Sequence, residues 1–191
     1  MFMYDQLVDY IKSKITVSEQ ELEVILSYFK PVKLKKNELL LTHGQTSQRT
    51  FFVGTGCLRI FFITEEGQDA TRYFAFEGQF ATALVSFITS EPSEEFIQAV
   101  EDSEVFYITH NGFYDLLEII PQWEKFYRSY LENAYVTNTR RLMSFLTLDA
   151  KEKYRQLLEE NPDIVRRLSN KMIASYLNIS QETLSRLKSK I

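Results

Sequence analysis

The chain has 191 residues, 45% of them hydrophobic and 25% charged, and a net charge of −4. That composition excludes a disordered chain, and the length suits one large domain or two small ones. No apolar run is long enough to span a bilayer, and the single Cys57 excludes an internal disulfide. The first nine residues carry Asp5 and Asp9 without a basic run, so they do not read as a signal peptide. A cytoplasmic location and no membrane partner are the expectation. The charge is unevenly spread. From residue 139 onward Lys and Arg outnumber Asp and Glu eleven to six, a net +5, which leaves −9 for the residues before it. A basic module joined to an acidic one is what phosphate binding by one end of the chain requires.

Leu7, Tyr10 and Ile11 recur at helical spacing and predict a helix over residues 1–15. Ser18 with Glu21 forms a capping box opening a second helix, which runs to about Phe29 and ends at Pro31. From Val32 the period changes to two. Short β-runs are predicted over 32–35, 38–42, 49–53, 57–64, 70–76, 96–100 and 104–109. Turn signals separate them: His43 with Gly44, Gly54 with Gly56, residues 65–68, and Glu77 with Gly78. Strands at this spacing read as a β-sandwich or barrel, and the aromatic residues between Phe51 and Tyr107 read as its filling.

Residues 111–118 read as a short helix, and Pro121 starts a long one to about Phe145. Along it Trp123, Tyr127, Tyr130, Ala134, Thr137, Arg141 and Phe145 recur every three or four positions, close to a heptad seam. The seam predicts a homodimer interface. Asp149 and Glu152 form another capping box, predicting a helix over 150–160 that Asn161 and Pro162 end. Residues 163–167 lead into the last element.

That element is a pair of short helices. Ser169 caps a helix with Met172, Ile173, Tyr176 and Leu177 on one face, and Asn178 supplies a left-handed turn residue. Ile179 plugs the corner and small Ala174 lets the helices cross closely. Ser180 caps the second helix, which turns Leu184, Leu187 and Ile191 inward and Gln181, Glu182, Ser185, Arg186 and Lys188 outward. This is a helix-turn-helix, whose second helix enters the major groove. Arg186 suits guanine O6 and N7, Glu182 a cytosine amino group, and Gln181 an adenine or neighbouring step. Ser180, Ser185, Lys188 and Lys171 are placed for phosphates, which position without specifying.

Ile173, Ala174, Leu177, Ile179, Ser180, Glu182, Thr183, Leu184, Ser185 and Arg186, at their spacing here, resemble the DNA-binding domain of the CRP/FNR family of bacterial transcription regulators. The order of parts extends the resemblance over essentially the full length. It implies an α+β fold: an N-terminal cyclic-nucleotide-binding-like double-stranded β-helix (jelly roll) over 1–118, a dimerisation helix over 119–146, and a winged-helix-like helix-turn-helix domain over 147–191. Because the chain stops at Ile191, the wing is expected to be short or missing. By resemblance Glu182 and Arg186 match the family's base-reading pair, and Ser185 a base-contacting Ser of the FNR-like branch. A further Arg of the CRP branch is Gln181 here. The implied partners are an inverted-repeat operator of double-stranded DNA and a second copy of the chain, with RNA polymerase a further candidate.

The resemblance also locates a ligand pocket at Gly78, Phe80, Ala83, Leu84 and Ser93. In cyclic-AMP-binding members a Glu holds the ribose and an Arg the cyclic phosphate; here those positions carry Ala83 and Ser93, with Glu91, Glu94 and Glu95 around the latter. A hydroxyl cannot replace a bidentate guanidinium pair, so cyclic-AMP binding is not expected. One cysteine cannot hold an iron–sulfur cluster, and His43 and His110 read as turn or surface residues rather than haem ligands. No cofactor, metal or catalytic activity is expected. The competing reading is a ligand-sensing or protein-interaction module with a degenerate DNA-binding domain.

Overall fold

The computed structural model describes residues 4–189. The chain divides into two compact units: Met1–Ile60 with Phe74–Leu131, and Phe61–Tyr73 with Glu132–Ile191. This division puts residues 61–73 with the C-terminal residues and splits the long helix between the units.

The first unit opens with α1 (Asp5–Lys14) and α2 (Glu19–Ser27). Ser18 caps α2: its hydroxyl accepts from the Glu21 backbone N–H at 3.2 Å, and the Glu21 carboxylate accepts from the Ser18 N–H at 2.7 Å. The helix ends earlier than its pattern predicts. Phe29 lies beyond it, and Pro31 sits inside strand β1 (Lys30–Leu34), opposite Phe106. Proline is tolerated there because β1 is an edge strand.

The remaining strands are β2 (Leu39–Leu41), β3 (Arg49–Thr55), β4 (Leu58–Ile63), β5 (Asp69–Ala75), β6 (Phe80–Ala81), β7 (Phe96–Ala99) and β8 (Ser103–Thr109). They form two four-stranded sheets, ordered β1-β8-β3-β6 and β2-β7-β4-β5. Two elements escape the sequence pattern: β6, which is only two residues long, and helix α3 (Leu84–Thr89). Gly56 joins β3 to β4 at φ +96°. A Cβ there would also lie 2.9 Å from Ser103 Cα, so the turn admits glycine alone.

Alternation sends Phe52, Phe80, Phe106 and Ile108 to the face of the first sheet that meets the helices. Leu7, Ile11, Ile25, Phe29, Phe113, Leu116, Trp123 and Phe126 complete this core, drawing on α4 (His110–Ile119) and the start of α5 (Pro121–Thr147). Burying each of these large apolar side chains contributes roughly 1.5–3 kcal/mol.

The second unit holds the end of the β4–β5 hairpin, the rest of α5, α6 (Ala150–Glu160), α7 (Pro162–Arg167), α8 (Asn170–Leu177) and α9 (Gln181–Lys188). Asp149 and Glu152 form the expected capping box at α6. Pro162 does more than end α6: it occupies the first turn of α7, where its missing N–H costs nothing. Residues 163–167 are therefore helical rather than a connector. Tyr154, Leu157, Ile164, Leu168, Ile173, Ala174, Leu177 and Leu184 form the small buried core, with α6 packed on α7 and α8.

Candidate nucleic-acid interface

Local rules build the helix pair. Ser169 Oγ accepts from the Met172 N–H at 3.4 Å to start α8, and Asn178 ends it at φ +53° and ψ 52°. The Ile179 N–H then returns to the Ala174 carbonyl at 3.0 Å, fixing the corner. Ser180 starts α9 by accepting from the Thr183 N–H at 3.1 Å. Leu184 is fully buried and Leu187 half-buried. Ile191 lies outside the described residues.

This framework turns Gln181, Glu182, Ser185 and Arg186 outward together. All four are exposed, and their side chains form no hydrogen bond or ion pair with any described residue. Glu182 and Arg186 lie one turn apart, and neither side chain has a partner among the described residues. An unengaged donor–acceptor row on one short, rigid helix is suited to reading base edges. Lys171 is exposed beside it. Ser180 is spent on its cap, while Lys188 Nζ donates to Asn170 Oδ1 at 2.5 Å and so ties the end of α9 to the start of α8.

The seam residues of α5 divide. Trp123 is fully buried in its own unit, with its indole N–H on the Phe113 carbonyl at 3.2 Å, so it has no surface to offer a partner. Tyr127 and Tyr130 pack partly buried against the same core. Burial raises the Tyr127 phenol pKa, reinforced by the Tyr114 hydroxyl 3.4 Å away. The Tyr130 hydroxyl donates to Thr82 Oγ1 at 2.9 Å. Ala134 and Phe145 are half-buried, and Arg141 is bonded within the second unit. The exposed apolar stripe lies one position further round: Tyr135, Val136, Leu142, Met143 and Leu146, with Tyr135 and Leu146 both 73% exposed. Of the seam, Trp123, Tyr127 and Tyr130 pack in the first unit and Arg141 is bonded within the second, while Thr137 is exposed.

At the expected ligand pocket, Ala83 is buried at the start of α3 and Phe80 is part of the aromatic core, 5.1 Å from Phe52. Leu84 is half-buried. Gly78 holds its turn at φ +77°, donating to the Val53 carbonyl. Ser93 is buried with its hydroxyl committed to the Glu95 backbone, at 3.0 Å to the N–H and 3.1 Å to the carbonyl. Glu95 is buried beside it. The sequence pattern singles out no cation on β4, where Arg59 lies. Arg59 is only 8% exposed, and its Nε donates to Gln98 Oε1 at 2.9 Å. Its signal was a lone cation in an apolar strand. Among the described residues, no group of three or more potential ligands is arranged for a metal.

Residues 31–119 match the family model of the cyclic nucleotide-binding domain. No curated protein is significantly similar in sequence. Among solved structures, the chain is similar to the c-di-GMP-responsive global regulator CLP of Xanthomonas campestris, at 16% identity and TM-score 0.72 over 91% of each chain. It is also similar to FixK2 of Bradyrhizobium japonicum, at 20% identity and TM-score 0.71, covering 85% of this chain and 83% of that one. A CRP/FNR-family transcriptional regulator of Thermus thermophilus matches at 19% identity and TM-score 0.63 over 84% of each. The protein thus carries a cyclic nucleotide-binding-type β-domain followed by C-terminal helices, in the fold of the CRP/FNR transcription regulators. No described helix is long and apolar enough to cross a membrane.

Proposed function

We propose that the protein is a homodimeric, sequence-specific DNA-binding transcription regulator of the CRP/FNR type. The observation that carries this reading is the row of exposed, unengaged side chains on α9, Gln181, Glu182, Ser185 and Arg186, on a helix pair stiffened by two serine caps. Lys171 adds phosphate attraction, and the net +5 of the C-terminal residues supports it. RNA polymerase is the further partner such a regulator engages.

The second copy is assigned to the exposed stripe of α5. Tyr135 and Leu142 are seven residues apart, as are Val136 and Met143, and Leu146 extends the row, so a matching helix would bury all five. Two recognition helices related by a two-fold axis read an inverted repeat.

Cyclic AMP is not the effector in this reading. Where a cyclic phosphate would need a guanidinium, Ser93 is buried and already bonded, with Glu95 alongside. No metal or cofactor is proposed, nor any catalysis, and the cytoplasm is the proposed location. Selection from a random duplex pool, run in parallel with wild type and Arg186→Ala, tests the proposal. Enrichment of an inverted repeat by wild type alone is expected; recovery of the same sequences by both proteins would remove Arg186 from the readout.

A further inference from the structure

The row Gln181, Glu182, Ser185 and Arg186 rides on α9, a helix of eight residues, so its aim depends on how that helix is held. The N-terminal end is fixed by the corner. Asn178 takes the left-handed turn, the Ile179 N–H donates to the Ala174 carbonyl at 3.0 Å, and Ser180 caps the helix. Leu184 anchors the middle: it is buried, while Thr183 and Leu187 are half-buried. The far end, next to Arg186, is tied across to α8 by a side-chain pair. Lys188 Nζ donates to Asn170 Oδ1 at 2.5 Å, joining the last turn of α9 to the first turn of α8. The two helices are thus joined at both ends, by backbone at the corner and by this pair at the open side.

Neither residue has another structural duty in this helix pair. Ser169 supplies the cap of α8, with its hydroxyl 3.4 Å from the Met172 N–H, so the Asn170 amide is available for the tie. Asn170 and Lys188 are both exposed and take no part in the buried core. Leverage gives the pair its weight. Arg186 lies six residues beyond Ser180, about 9 Å along the helix axis. With the corner as pivot, a tilt of about 10° moves it by about 1.5 Å, whereas a productive polar contact tolerates only about 0.5 Å. Glu182, two residues from the pivot, moves about a third as far. Leu184, nearer the pivot, opposes such a tilt less than a contact at the helix end.

We propose that Lys188 and Asn170 are positioning residues that set the tilt of α9, and that through Arg186 this pair determines discrimination between DNA sequences. The inference rests on the base-reading role proposed above. It assigns Lys188 to the protein's own framework rather than to phosphate. The two roles differ in their response to salt. A lysine on phosphate contributes about one to the salt slope, whereas a lysine engaged by Asn170 contributes little.

The test uses the full chain, the duplex recovered by the random-pool selection and a scrambled duplex, across a range of salt concentrations. Lys188→Met keeps the aliphatic stem and removes the donors. Asn170→Ala removes the acceptor and leaves the Ser169 cap in place. Asn170→Asp keeps an acceptor and makes the bond charge-assisted. Thermal melting checks that each variant folds. Lys188→Met and Asn170→Ala are each expected to lower the selected-to-scrambled affinity ratio about 5-fold, and the double variant no further than either alone. Asn170→Asp should retain the wild-type ratio, although its added charge weakens both duplexes, and Lys188→Met should leave the salt slope unchanged. A slope reduced by about one in Lys188→Met, with Asn170→Ala behaving as wild type, would make Lys188 a phosphate contact and overturn the tie. Ratios that neither single variant changes, or effects that add in the double variant, overturn it as well. Wild type without preference for any duplex overturns the base-reading role together with the tie.

Discussion

Trp123 and Phe126 stack face to face, with ring centroids 4.2 Å apart and planes 8° from parallel. Both are buried, so the first turn of α5 is anchored in the core of its own unit. The same helix carries Leu142 at 57% and Leu146 at 73% exposure further along. One helix therefore does two jobs in sequence, packing inward at its start and presenting an apolar face near its end.

The inward job is a matter of stability. Trp123→Ala should cost about 3–5 kcal/mol, because it empties a fully buried site and strands the Phe113 carbonyl that its indole N–H satisfies. Denaturant unfolding of the purified variant measures it.

Association should respond to the other face. Leu142→Glu with Leu146→Glu places two carboxylates where a second helix is proposed to pack, and a monomer is expected by analytical ultracentrifugation. Folding should persist, since both positions are exposed in the single chain. A dimer of wild-type strength would move the interface elsewhere.

Cap chemistry predicts a pH effect. Hydrogen bonds from the Ser18 backbone and side chain hold the Glu21 carboxyl below its ordinary value of 4.5. A depressed folded-state pKa contributes stability above the unfolded value and loses it as pH falls through the folded value. Wild type should thus be more stable than Glu21→Gln at neutral pH, with the difference closing on acidification below the ordinary carboxylate range. Unfolding transitions at several pH values check this.

Ligand specificity is checked by calorimetry. Titration of cyclic AMP should give no binding heat at micromolar concentrations, because Ser93 offers a committed hydroxyl where a guanidinium is needed. Micromolar affinity would overturn the assignment.

Local rules made much of this structure legible in advance. The caps at Ser18, Asp149, Ser169 and Ser180, and the left-handed Asn178, depend on a few neighbouring residues and are found where the sequence places them. What escaped depends on long-range packing. The α5 spacing shows a helix, but periodicity alone does not say that Trp123 is buried in its own unit while Leu142 and Leu146 are exposed. Strand β6 was too short to show alternation, and Pro162 signals a helix start as readily as a stop. The Thr71–Ser175 contact joins residues 104 positions apart, a separation no local pattern records. The acceptors of Arg141 are backbone carbonyls, which every residue possesses, so the side-chain pattern does not reveal them.

The most direct measurement is the affinity of wild type, Arg186→Ala and Lys171→Ala for a selected duplex and a scrambled one across a range of salt concentrations. Arg186→Ala should lose about 1–3 kcal/mol on the selected duplex and relax specificity at one base pair. Lys171→Ala should weaken both duplexes alike and reduce the salt slope by about one. Equal affinities of wild type and Arg186→Ala for the two duplexes would contradict base reading by α9.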